Sequence, residues 1–250
     1  MKIVRFTDGS KTRYGIWGDT RIRELAGNPF RSSKISTQSY RFHEVKLLAP
    51  CLPSKIVALG LNYRSHAAEF NRPIPPEPLI FLKPPTSVIG PEDNIIYPPD
   101  SQRVDYEGEL GVVIKHRIHD VSPGEVLKHV LGYTCFNDVT ARDLQGKDKQ
   151  WTRAKSYDTF GAIGPCIETE LDPDNVWLET HLNGELKQRI NTSDLIFPVA
   201  KLVSFISRVM TLLPGDVITT GTPSGVGPMQ KGDTVEVKIA SIGVLRNYVT

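Results

Sequence analysis

The chain has 250 residues, 39% hydrophobic and 23% charged, long enough for one large domain with a real core. Its 30 Lys and Arg against 28 Asp and Glu leave a net charge of +2, which argues against a nucleic-acid or anionic-membrane partner. The longest apolar runs, such as Lys55-Ile-Val-Ala-Leu-Gly-Leu61, are too short to span a bilayer. The start, Met1-Lys-Ile-Val-Arg-Phe-Thr-Asp-Gly9, puts charge and a turn where a signal peptide needs an apolar stretch. Cys51, Cys135 and Cys166 are odd in number and scattered, which predicts buried thiols in a reducing cytoplasm rather than a disulfide framework.

Residues 1–25 predict short antiparallel strands with turns at Thr7-Asp-Gly9 and Gly18-Asp-Thr20. The polar stretch from Gly27 to about Phe42 reads as a connector, making residues 1–45 a small N-terminal β module and residues 46–250 the main domain. Ile56-Val-Ala-Leu59 predicts a buried strand, residues 63–70 a helix stopped by Pro73-Ile-Pro-Pro76, and Leu79-Ile-Phe-Leu82 another strand. In Arg103-Val-Asp-Tyr-Glu-Gly-Glu-Leu-Gly-Val-Val-Ile-Lys-His116, strand alternation puts Val104, Tyr106, Leu110, Val112 and Ile114 on one face. Asp105, Glu107 and Glu109 fall on the other. Leu131–Asp138 is a further strand. Residues 176–190 form a hairpin around Asn183-Gly184, and residues after Pro198 a helix carrying Val199, Leu202, Val203, Ile206, Val209 and Met210. Strands at 216–220, 234–239 and 244–249 complete the chain. With no regular strand–helix alternation, the expected class is α+β, mostly β.

Adjacent carboxylates on one strand face repel each other unless a positive charge lies between them. Glu107 and Glu109 offer two hard oxygen ligands, and Asp138, ending its strand before a polar segment, is the best third. Oxygen-only ligation selects Mg2+, Mn2+ or Ca2+ over zinc, and three carboxylates leaving room for water and substrate suit catalytic Mg2+ or Mn2+. The spacing is equally compatible with a solvated strand face paired to lysines across the sheet. In Gly60-Leu-Asn-Tyr-Arg-Ser-His-Ala-Ala-Glu69, His66 and Glu69 are helix neighbours, either a general-base pair or an ordinary surface pair. Lys155, in Trp151-Thr-Arg-Ala-Lys-Ser-Tyr-Asp158, suits a substrate carboxylate or enolate, or is a plain surface charge. Thr219-Thr-Gly-Thr-Pro-Ser-Gly-Val-Gly227 is a Gly-rich turn that lacks the Gly-Lys-Ser/Thr ending of a P-loop.

Taken together and in order, Gly-x-Asn-Tyr-x-x-His-x-x-Glu, Asp-Tyr-Glu-x-Glu-Leu, Asn-Asp-Val-Thr-Ala-Arg-Asp-Leu-Gln, Trp-Thr-x-Ala-Lys-Ser and Thr-Gly-Thr-Pro-x-Gly-Val-Gly resemble the fumarylacetoacetate hydrolase family from about residue 45 onward. The resemblance implies a mixed β-sandwich roll and a homodimer with Mg2+ or Mn2+ in a cleft. It assigns Glu107, Glu109 and Asp138 as metal ligands, with Asp105 left to a supporting role. His66 and Glu69 become the catalytic dyad, on a segment that acts as a lid in relatives. Lys155 becomes the active-site lysine, with Arg142, Gln145 and Thr222 at substrate contacts. The implied substrate is a small 2-oxo acid, with hydrolysis of the C3–C4 bond of an acylpyruvate as the leading reaction. Oxaloacetate decarboxylation and isomerisation of a 2-hydroxy-diene dioate use the same site, and a non-catalytic ligand-binding protein is the alternative of another class. The connector Gly146-Lys-Asp-Lys-Gln150 is shorter than in some acylpyruvate-cleaving relatives and bears on substrate size.

Overall fold

A computed structural model describes residues 1–69 and 73–250. Four antiparallel strands open the chain: β1 (Lys2–Thr7), β2 (Thr12–Trp17), β3 (Arg21–Asn28) and β4 (Ser32–Arg41). They are followed by β5 (Lys46–Leu48), β6 (Ile56–Leu59), helix α1 (Arg64–Glu69) and β7 (Ile80–Lys83). The short β8 (Val88–Ile89) and β9 (Asn94–Ile95) lead to β10 (Val104–Tyr106) and β11 (Gly108–Ile114). Next come β12 (Val130–Asp138), β13 (Thr140–Ala141), helices α2 (Arg142–Asp148) and α3 (Thr152–Lys155), and β14 (Gly161–Glu168). The last part holds β15 (Trp177–Leu182), β16 (Glu185–Asn191), α4 (Val199–Val209), β17 (Val217–Thr219), β18 (Gly227–Met229), β19 (Thr234–Ile239) and β20 (Gly243–Val249).

The strands form a mostly β sandwich. A large sheet runs in the order β4-β3-β2-β1-β14-β12-β11-β17-β6-β7, with β5 on β1 and β8 on β14. Five strands, β16-β15-β19-β20-β9, make the facing layer, and β13-β10-β18 a small third sheet. Leu110, Val112, Cys135 and Ala162 on one face of the large sheet pack against Leu178, Val237 and Leu245 of the facing layer and Leu202, Val203 and Ile206 of α4. Ile56, Val113, Phe136, Ile163 and Val217 line the opposite face. At the centre both faces are covered, so β11 is buried throughout. All three cysteines are free and buried.

Several local expectations change once the strands are paired. The stretch from Gly27 to Phe42 is not a connector, because ten of its residues form β4, paired antiparallel to β3. This strand is polar because it is the sheet edge and exposed over most of its length, where apolar residues would invite pairing with another chain. The first four strands continue the large sheet through the β1–β14 pairing. The 103–116 strand breaks at Glu107: β10 joins the small sheet while β11 joins the large one. The helix predicted over 63–70 runs from Arg64 to Glu69, and residue 70 lies outside the described residues. The hairpin forms around Asn183 and Gly184, both at positive φ (53° and 80°), the backbone a tight two-residue turn demands.

Gly108, just after the break, packs against Thr180 of β15. A Cβ there would stand 2.0 Å from Thr180 Oγ1, and that hydroxyl is buried with no hydrogen-bond partner among the described residues. Gly108→Ala should therefore lower unfolding free energy by about 1–3 kcal/mol in urea denaturation. Most of that loss should return when Thr180→Ala is combined with it; strictly additive losses would exclude this contact as the cause.

Candidate active site

The antiparallel register of β11 and β12 pairs Gly108 with Asn137 and Glu109 with Phe136. One step further, the Asp138 amide donates to the Glu107 carbonyl (2.9 Å). Asp138 thus sits opposite Glu107, with Glu109 two residues along on the same face. One carboxylate oxygen from each of the three lies within 4.8 Å of the others. None faces solvent: Glu109 and Asp138 are fully buried and Glu107 is 6% exposed, which removes the solvated-face reading of the alternation.

Such a cluster demands positive charge, and the fold supplies it from three elements. Lys155, at the end of α3, donates to Glu107 Oε2 (2.7 Å) and Asp138 Oδ2 (2.6 Å). Lys83, the last residue of β7, approaches the other Asp138 oxygen. Arg142, opening α2, binds Glu107 through Nη2, Asp105 Oδ2 through Nε (2.8 Å) and Gln145 through Nη1 (2.7 Å). Burial opposes ionisation of Glu107, but Lys155 and Arg142 override it and hold that carboxyl down at about 2. Among the described residues no such cation pairs with Glu109. Burial, reinforced by the charges of Asp138 and Glu107, pushes its carboxyl well above the ordinary range. Its Oε2 accepts from the Gly221 amide (2.8 Å), while Oε1 is buried with no hydrogen-bond partner among the described residues. The two lysines are shifted apart: burial pulls Lys83 down despite the adjacent Asp138, whereas Asp138 and Glu107 outweigh burial and hold Lys155 up.

Above this floor lies a cavity of about 470 Å³, walled by His66, Phe81, Arg103, Arg142, Trp151, Lys155 and Thr222 among others. The Lys155 ammonium lies 5.1 Å from the Phe81 ring centre, and Phe81 meets Trp151 edge to face. His66 reaches the wall from α1, with Nδ1 3.2 Å from Glu69 Oε2. The start of α1 is tied to the 194–197 segment. Asn62 donates to the Thr220 carbonyl (2.8 Å) and accepts from the Phe197 amide (2.9 Å), while Asp194 accepts from the Ser65 amide and hydroxyl.

The structure brings Glu107, Glu109, Asp138, Lys155, Arg142, Gln145, Thr222 and the His66–Glu69 pair to one cavity and its floor and rim. Two groups of the Gly-rich turn also brace the fold. The Thr222 hydroxyl is engaged by the fold, donating to the Gly108 carbonyl (3.0 Å) and accepting from Gln188 (2.9 Å). The Gly-rich turn directs the Gly221 amide at a carboxylate of the cluster. Asp105 is gripped by Arg103 and Arg142 and contributes no oxygen to the acidic triad. Lys83 was missed by sequence reasoning. Its one signal was a charged residue ending an apolar strand directly before Pro84-Pro85. Three carboxylates without cysteine or histidine, one bearing a buried oxygen that lacks a donor, suit a hard divalent cation.

Residues 55–250 match the family described as fumarylacetoacetate (FAA) hydrolase C-terminal, and residues 1–50 match one described as Rv2993c-like, N-terminal. The chain is similar to a solved 5-carboxymethyl-2-hydroxymuconate delta-isomerase from Mycobacterium smegmatis. They share 44% identity at a TM-score of 0.94, over 100% of this chain and 99% of the other. It is equally close in shape to 2-hydroxyhepta-2,4-diene-1,7-dioate isomerase from Mycobacterium marinum (43% identity, TM-score 0.94, covering 100% and 98%). The bovine mitochondrial oxaloacetate tautomerase FAHD2B is 44% identical over 219 residues, 82% of this chain and 70% of that one. With the fold, the acidic cluster and these relatives in agreement, the chain belongs to the fumarylacetoacetate hydrolase family, whose members are enzymes that usually bind a divalent metal.

Proposed function

We propose that the protein is a Mg2+- or Mn2+-dependent enzyme acting on small 2-oxo or 2-hydroxy-enol acids. The observation that carries this reading is the convergence of Glu107, Glu109 and Asp138 beneath a cavity that Lys155 and His66 also face. An ion held by those carboxylates supplies Lewis-acid stabilisation of negative charge on a substrate oxygen. The chain's own residues orient charge and move protons. Lys155 keeps an ammonium beside the 2-oxo oxygen, and Arg142 holds Glu107 ionised and in position. His66, its Nδ1 set by Glu69, exchanges a proton at substrate C3 through Nε2. Phe81 and Trp151 shield that exchange from bulk water.

Proton transfer between enol and keto forms is the first reading, supported by the tautomerase and isomerase names of the relatives. Hydrolysis of a C3–C4 bond is the second, because a carboxylate-oriented histidine is also the apparatus that activates water. Enol oxaloacetate, 2-hydroxyhepta-2,4-diene-1,7-dioate and acetylpyruvate, each assayed with Mg2+ and with EDTA, separate the two. Metal-dependent turnover is expected on at least one of the first two, and its absence on all three would overturn the enzyme reading. His66→Ala should cut turnover by about 10²–10⁴-fold while leaving the Mn2+ affinity within about twofold. A large loss of Mn2+ affinity would place His66 in ion binding instead.

Ion binding should also depend on pH in a defined direction. The raised Glu109 carboxyl holds its proton more tightly than an ordinary carboxyl, so an incoming cation competes with that proton. Affinity therefore rises with pH and weakens on acidification, by up to about tenfold per unit below that raised value. Glu107, already ionised, contributes no dependence near neutrality. Calorimetry of Mn2+ binding in buffers of different ionisation enthalpy should show proton release that grows as pH falls, and Glu109→Gln should abolish both binding and release. Binding without proton release would contradict the assignment.

A further inference from the structure

Arg103 faces the same cavity but takes no part in the acidic floor. Its main chain is fixed beside α2, where its carbonyl accepts from the Arg142 amide (2.8 Å). Its guanidinium lays one edge on Asp105, with Nε 2.9 Å from Oδ1 and Nη2 3.2 Å from Oδ2. That fork fixes the plane of the group and leaves the Nη1 edge with no hydrogen-bond partner among the described residues, on a side chain 51% exposed. Arg142 differs: Asp105, Gln145 and Glu107 engage all three of its nitrogens. Of the two arginines in the wall, Arg103 is therefore the one with a planar pair of donors available to an incoming group, the geometry that matches a carboxylate.

The charge inventory points the same way. Lys83, Arg103, Arg142 and Lys155 face Asp105, Glu107, Glu109 and Asp138, so these eight groups balance when every acid is ionised, the His66–Glu69 pair lying apart at the rim. A divalent cation on the triad leaves two positive charges in excess. A substrate with two carboxylates cancels them, whereas a monocarboxylate leaves one uncompensated.

We infer that Arg103 is a specificity residue that receives the distal carboxylate of a dicarboxylic 2-oxo acid and selects such substrates over monocarboxylic ones of the same length. The inference rests on the 2-oxo-acid reading above and deepens it.

Two unreactive five-carbon probes test it, 2-oxoglutarate and 2-oxopentanoate, which differ in the distal carboxylate. Their binding to the Mn2+-loaded protein is measured by calorimetry for wild type, Arg103→Gln and Arg103→Lys. Arg103→Gln should weaken 2-oxoglutarate on the order of tenfold to a hundredfold, with 2-oxopentanoate changed less than about twofold and partial recovery in Arg103→Lys. The Mn2+ affinity of Arg103→Gln should match wild type, since Arg142 still braces Asp105, and a purely structural role for Arg103 would not produce this selective loss. Equal losses on both probes, or none on 2-oxoglutarate, would overturn the inference while leaving the 2-oxo-acid reading standing. Failure of wild type to bind either probe would overturn both.

Discussion

Three carboxylates brought within 4.8 Å of one another inside the protein are the constraint around which the rest is arranged. When all three are ionised, each pair repels by about 3–4 kcal/mol at an effective dielectric of about 20, and each carboxylate also loses its hydration. Partners must come from outside the two strands that carry the acids. Lys155 from α3, Lys83 from β7 and Arg142 from α2 meet this need for Glu107 and Asp138. Glu109 is left with a backbone amide and a raised carboxyl pKa. That imbalance between three acids leaves the cluster able to hold a cation, as proposed above, rather than closed as a salt-bridge network.

The fold serves this arrangement by breaking a strand. Between β10 and β11 the chain leaves the small sheet and enters the large one, and Glu107 sits at the crossing. The crossing is braced from the facing layer: Gln188 accepts from the Gly108 amide (3.0 Å) and donates to Thr222, whose hydroxyl reaches the Gly108 carbonyl. These buried hydrogen bonds hold backbone next to charge, where a small shift would alter every distance in the cluster. The same small sheet carries Asp105, and through it the two arginines of the cavity wall are set side by side.

Much of the architecture was legible from local pattern. The hairpin at Asn183-Gly184, the buried strand at 56–59 and helix α4 follow from turn chemistry and hydrophobic period, which act over a few residues. The polar stretch that became β4 was misread because an exposed edge strand and a loop share the same composition. Asp105 illustrates another limit. Alternation puts it on the same face as Glu107, yet its oxygens go to Arg103 and Arg142 because the chain changes sheets between the two acids. The Lys83 contact with Asp138 joins residues 55 apart in sequence and has no local signature.

By itself the sequence determined which chemical groups are present, their order and their local backbone preferences, because residue identity and short-range periodicity are local properties. That sufficed for the mostly β class, for the motifs of the family and for the oxygen-only donor set. Only the tertiary structure decided which charges are buried, which cation answers which acid, and which arginine of the cavity wall keeps donors unengaged among the described residues. Those outcomes depend on desolvation and on distances between segments remote in the chain, and both come into being when the sheets close over the site.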